Sequence, residues 1–182
     1  MNHKEYISYE KRGKGIIFLL IAEFAGTVAG SFCSVFKEKS GFLFSVNSGG
    51  TVFEVFSDTI LMMALFLAAA FFCGLFAFGQ PLGIALLIAV GAENGAYGTE
   101  LYASSGLSAV PLFLLRTAFF SAIAILAVRE LLKASTAIFL NITGNSAEFP
   151  QLGLYCIKFI VLSGFALVAS IADSILKSVF IG

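Results

Sequence analysis

Apolar residues run almost unbroken through five stretches of this chain, at residues 15–36, 59–78, 82–102, 109–132 and 154–176, and polar residues collect between them. Each stretch supplies the roughly 20 mostly apolar residues that a helix needs to cross a bilayer. The pattern predicts an all-α fold, a polytopic integral membrane helical bundle of about five transmembrane helices. Residues 1–14 read as a polar N-terminal segment on the cytoplasmic side, and residues 15–182 as a single transmembrane domain.

Composition sharpens this reading. Of the 182 residues, 59% are hydrophobic and only 12% charged, whereas a soluble domain is about a quarter charged. The formal net charge is zero, which argues neither for a nucleic-acid partner nor for a polybasic lipid clamp, and no nucleic acid is expected. The basic lead of Lys4, Lys11, Arg12 and Lys14 superficially suits a signal peptide cleaved near Ala29-Gly30-Ser31. An uncleaved first span fits better, because Glu23 interrupts the apolar core and the pattern continues to Phe36. With the N-terminus inside, the cytoplasmic face receives Lys4, Lys11, Arg12, Lys14, Arg129, Lys133 and Lys158, and the outside receives Lys37, Lys39 and Lys177. That asymmetry predicts an N-in, C-out topology.

The connecting segments follow. Lys37 to Asp58 is expected as an outer loop lying on the bundle or at the interface, since Phe42, Phe44, Phe53 and Phe56 are too apolar for a solvated linker. Gly79-Gln80-Pro81 is expected as a tight cytoplasmic hairpin turn between the second and third spans. Ala103 to Ser108 reads as a short outer turn, with Pro111 in the first turn of the fourth span, and Thr136 to Gly153 as a polar cytoplasmic stretch. Asn141-Ile142-Thr143 matches a glycosylation acceptor, a chance match on the cytoplasmic side.

Chemistry is sparse. Cys33, Cys73 and Cys156 lie inside apolar windows without Cys-x-x-Cys spacing and read as small packing residues. The sole histidine, His3, precedes the first span, so no histidine-based metal site, Ser-His dyad or bis-histidine haem ligation is expected. There is no phosphate-binding Gly-x-x-x-x-Gly-Lys-Ser/Thr motif, and the only aspartates are Asp58 and Asp173. The expectation is a protein without catalytic residues, cofactor or metal.

Two sets of residues stand out within the spans. Gly26 and Gly30 in the first span, and Gly91, Gly95 and Gly98 in the third, have the small-residue spacing that lets helix backbones approach closely, and each set is expected to form one packing face. Glu93, Tyr97 and Glu100 stack on one face of the third span. At ~1.5 Å per residue, Glu93 lies ~14 Å and Glu100 ~3 Å below the outer end of that span, and Arg116 ~10 Å below its own. An unpaired charge at mid-bilayer costs ~2.5–3.5 kcal/mol on insertion scales, so Arg116 is expected to pair with Glu93 or Glu100. The competing reading is a proton or ion path through Glu93, Glu100 and Glu23. Asp173, near the outer end of the last span, is expected either to reach the interface or to pair within the bundle.

The order of these features resembles the stage II sporulation protein M family. It rests on the turn Gly79-Gln80-Pro81-Leu82 after a Phe- and Gly-rich span, the glycine-spaced span with Gly91 and Gly95-Ala96-Tyr97-Gly98, the outer turn Ser104-Ser105-Gly106-Leu107, and a last helix with Ala169-Ser170-Ile171-Ala172-Asp173. The resemblance covers nearly the whole chain. Two departures are Arg116 where the family often has a proline motif, and Asp173 where it commonly has glutamate. The resemblance implies a five-span, non-enzymatic scaffold in the bacterial cytoplasmic membrane. Its implied partners are membrane lipid and peptidoglycan-degrading enzymes such as stage II sporulation proteins D and P, with homo-oligomers also open. A small transporter, or the membrane subunit of a transport complex, is the alternative that the intramembrane carboxylates suggest.

Overall fold

In the computed structural model, residues 3–36, 52–144 and 151–180 are described. They form α1 (His3–Phe36), α2 (Val52–Gly74), α3 (Gly79–Ser105), a 3-10 turn (Gly106–Ala109), α4 (Val110–Ile142) and α5 (Leu152–Phe180), with no strand among the described residues. Four of these contain stretches long and apolar enough to cross a membrane: Gly15–Phe32, Phe56–Gly74, Val110–Ile142 and Leu152–Ser178. This is the make-up of a multi-pass membrane protein. α3 is about 40 Å long at ~1.5 Å per residue, but its glycines, Asn94 and two glutamates leave it too polar to qualify by composition.

Helix ends differ from the sequence expectations in four places. Helical structure in α1 begins at His3, inside the segment read as a polar lead. Of the expected outer loop, 37–51 lies outside the described residues, whereas Val52 to Asp58 forms the first turns of α2. The α2–α3 turn is Leu75–Phe78, not Gly79-Gln80-Pro81, which make the first turn of α3. The reason is that a helix's first amides need no intrahelical acceptor, so Pro81 loses nothing there. Lastly, α4 runs on to Ile142 through the stretch expected to be polar and irregular; Thr136 bonds back to the Leu132 carbonyl at 2.6 Å, and Phe139 packs edge-on against Phe78. Asn141 of the glycosylation-like triplet is helical, and its amide donates to the Ala137 carbonyl.

α4 is the central helix and touches each of the others, while α1 lies along α3. The core between α2, α3, α4 and α5 holds Phe66, Leu67, Ala70, Leu87, Phe120, Ala124, Val128, Leu131 and Phe159. Outward-facing positions remain apolar, as Phe24, Leu65, Phe72, Phe119, Ile160 and Phe165 show. That inversion of the soluble pattern suits a hydrocarbon surround.

The glycine faces meet each other. A Cβ on Gly26 would strike the Ile88 carbonyl, one on Gly30 the Ala92 carbonyl, one on Gly91 the Glu23 carbonyl and one on Gly95 the Thr27 carbonyl. Since residue numbers rise together on both sides, α1 and α3 run parallel at backbone contact, and Ser31 donates across the seam to the Gly95 carbonyl at 3.3 Å. Gly98, close to Gly91 on the helix surface at seven residues' spacing, packs on a different neighbour: a Cβ there would first meet the Phe113 ring of α4, at 2.6 Å.

The end of the bundle near Gly74, Gly79 and Leu152 is fixed by side chains that satisfy backbone carbonyls. Ser135 donates to the Phe76 carbonyl at 2.8 Å and lies 3.3 Å from that of Ala77, while Tyr155 donates to the Phe71 carbonyl at 2.9 Å. Gln80 donates to the Thr136 hydroxyl at 2.9 Å. A Cβ on Gly79 would strike the Cys73 carbonyl, so this tight turn requires glycine there.

Candidate functional site, a polar cluster inside the bundle

Two antiparallel pairings bring α3, α4 and α5 together so that their polar residues converge. Measured at ~1.5 Å per residue from the ends at Ser105, Val110 and Phe180, Tyr97 lies about 12 Å deep, Arg116 about 9 Å and Asp173 about 10 Å. Glu93 is deeper, at about 18 Å by the same measure. This matching of depth decides the ion pair. Arg116 Nη1 donates to Asp173 Oδ2 at 3.1 Å, with side-chain exposures of 10% and 2%. The sequence expectation of an Arg116 pair with Glu93 or Glu100 is therefore corrected, because Asp173 sits level with the guanidinium and Glu93 about two turns deeper.

Tyr97 holds the other side of Arg116. The guanidinium carbon is 3.8 Å from the Tyr97 ring centroid and 5.4 Å from that of Phe120, while Lys177 Nζ approaches the Tyr97 ring at 4.8 Å. Each such contact contributes about 0.5–2 kcal/mol, towards the upper end where water is excluded. Glu100 lies within electrostatic reach of Lys177, so the upper carboxylate has a cation of its own. Lys177, four residues after Asp173 and hence on the same face of α5, is a member that sequence reading missed.

Glu93 occupies a different setting. It lines a pocket of about 20 Å³ with Thr59, Met62, Met63, Phe66, Val90, Asn94, Arg116 and Phe120. Arg116 is the charge that acts on it. Asn94 is only 4% exposed, and among the described residues its Nδ2 has no hydrogen-bond partner; the buried Tyr97 hydroxyl, Arg116 Nε, Thr117 hydroxyl and Asp173 Oδ1 also lack one there. Buried polar groups in native proteins are nearly all paired, so their gathering in one region marks it as unlike the rest of the core. Asn94 and Thr59 were not singled out from the sequence, although the adjacency of Asn94 to Glu93 was visible there.

Glu23 does not join this cluster. It is buried on α1 and accepts a hydrogen bond from Ser121 of α4, so the three carboxylates of the competing path reading, Glu23, Glu93 and Glu100, lie in separate settings. A second charged group lies towards the opposite end of α4, where Glu130 accepts from Lys133 at 2.5 Å and from Lys158 at 2.6 Å. Among the described residues no three His, Cys, Asp or Glu side chains converge as a metal site.

No protein-family model, curated protein or solved structure matches this chain. What distinguishes the bundle is its buried cross-helix charges, a backbone-tight α1–α3 seam and a small pocket beside Glu93.

Proposed function

We propose that this protein is a five-span, N-in, C-out scaffold of the bacterial cytoplasmic membrane that holds partner proteins and performs no catalysis of its own. The observation that carries the reading is that two of its buried charged groups engage neighbouring helices, Arg116 with Asp173 and Glu23 with Ser121. Such contacts fix helices against one another, as a holding role requires. α3 counts as the fifth span on this reading. Its polar face turns inward while Leu82 and Ile88 face outward, and its parallel seam with α1 is what an alternating crossing of the bilayer requires.

The partner class comes from the resemblance to the stage II sporulation protein M family, which points to peptidoglycan-degrading enzymes. In vivo cross-linking followed by purification from native membranes tests it, with wall-degrading enzymes expected in the complex and lost on Gly95→Leu. Failure to recover them, together with a proteoliposome flux abolished by Glu93→Gln, replaces the scaffold with the transport alternative.

A further inference from the structure

We propose that the pocket between α2, α3 and α4 is a proton-binding site, in which Glu93 carries the exchangeable proton and Asn94 and Thr59 help seat the water that exchanges it. The inference is independent of the scaffold reading. It starts from size: about 20 Å³ accommodates roughly one water molecule and excludes an organic ligand. A buried water needs two to four polar partners; beside the apolar Met62, Met63, Phe66, Val90 and Phe120 the lining includes four polar residues, Glu93, Thr59, Asn94 and Arg116, and among the described residues Asn94 Nδ2 and Arg116 Nε have no hydrogen-bond partner.

The free groups beside Glu93 select the ligand. Asn94 Nδ2 and Arg116 Nε are donors, and donors accommodate an oxygen lone pair but repel a metal cation. Among the described residues Arg116 is the group whose charge acts on the Glu93 carboxylate, and no hydrogen bond to it is found. Charge points the same way. From α4 the carboxylate faces Arg116, itself paired with Asp173 of α5. From α2 it faces Thr59, Met62, Met63 and Phe66, with Asp58 exposed beyond them. On its own helix Tyr97 stacks on Arg116 and Glu100 acts with Lys177, while Glu23 of α1 is bonded to Ser121. With Arg116 and Asp173 cancelling, Glu93 is the charge in the pocket that lacks a counterion of its own.

The step is an addition without redox change. A hydronium ion in the pocket gives its proton to a Glu93 carboxylate oxygen, leaving a neutral carboxyl and a water; release is the reverse. Intramembrane carboxyls commonly serve such exchange.

Infrared difference spectra of the full-length protein in lipid, acid minus alkaline, test the site directly. The expected result is a carboxylic-acid carbonyl band lost in Glu93→Gln and shifted in frequency in Glu93→Asp and Asn94→Leu, with the amide bands of all variants unchanged. Altered amide bands in Glu93→Gln transfer the decision to the aspartate variant, whose band must still shift. Spectra of Glu93→Gln and Glu93→Asp that both superpose on the parent overturn the proposal. So does suppression of the band by sodium at fixed pH, which would mark a metal-cation site instead.

Discussion

Arg116 of α4 and Asp173 of α5 form a buried ion pair at 3.1 Å, lying at the same depth in the bundle. Removing one member of such a pair leaves an uncompensated buried charge and costs about 3–5 kcal/mol, whereas replacing both by apolar residues of similar volume is often neutral. Asp173→Leu alone is therefore expected to be far more destabilising than Arg116→Met combined with Asp173→Leu. Reversible unfolding in mixed detergent micelles checks the order, and equal losses would show that the pair does not couple the two helices.

Gly91 and Gly95 hold α3 against the α1 backbone, while Gly164 of α5 has open space where a Cβ would stand. Gly95→Ala forces the seam apart at a cost of about 1–3 kcal/mol, the usual range for overpacking. Gly164→Ala should cost nothing. The same unfolding measurement on both variants separates seam packing from a general effect of alanine in helices.

Ser135 is fully buried and donates to the carbonyl of Phe76 in the α2–α3 turn. Ser135→Ala removes that bond and is expected to cost about 0.5–1.5 kcal/mol. Amide hydrogen exchange should rise at Leu75, Phe76 and Gly79, whose turn bonds it supports. Unchanged exchange there would mean that the turn is held by Gly79 and the helix packing alone.

Glu130 joins Lys133 and Lys158 through side chains of which the two lysines are about half exposed, at 53% and 41%. Glu130→Gln is accordingly expected to cost about 0.2–1 kcal/mol, falling with added salt. Titrating stability against sodium chloride in the parent and the variant checks this, since a buried pair would be screened much less.

The helix-forming pattern was readable because each apolar stretch is long, and the seam between α1 and α3 was readable because Gly26, Gly30, Gly91 and Gly95 carry a small-residue spacing in both helices. The neighbour that Gly98 meets was not readable, since spacing alone does not say that α4 brings Phe113 against it. The turn was shifted by four residues because proline and glycine mark a helix start as readily as a loop. Arg116 was given the wrong partner for a related reason. Depth along a helix depends on where the helix ends, and Asp173 could be placed level with Arg116 only once α5 was seen to reach Phe180. Thr59 carried no signal and Asn94 only its adjacency to Glu93, because their meaning arises from α2 and α3 facing the same pocket.

The composition of α3 bears on biogenesis. Its sequence alone makes it a poor candidate for stable entry into lipid, yet the partners of its polar residues lie later in the chain: Arg116 over Tyr97, and Lys177 beside Glu100. During synthesis from the N-terminus, α1 offers α3 a glycine seam first and α4 and α5 supply the compensating cations afterwards. A nascent chain stopped before Lys177 would leave Glu100 without that cation, which makes the last helix the one that completes the surroundings of the third.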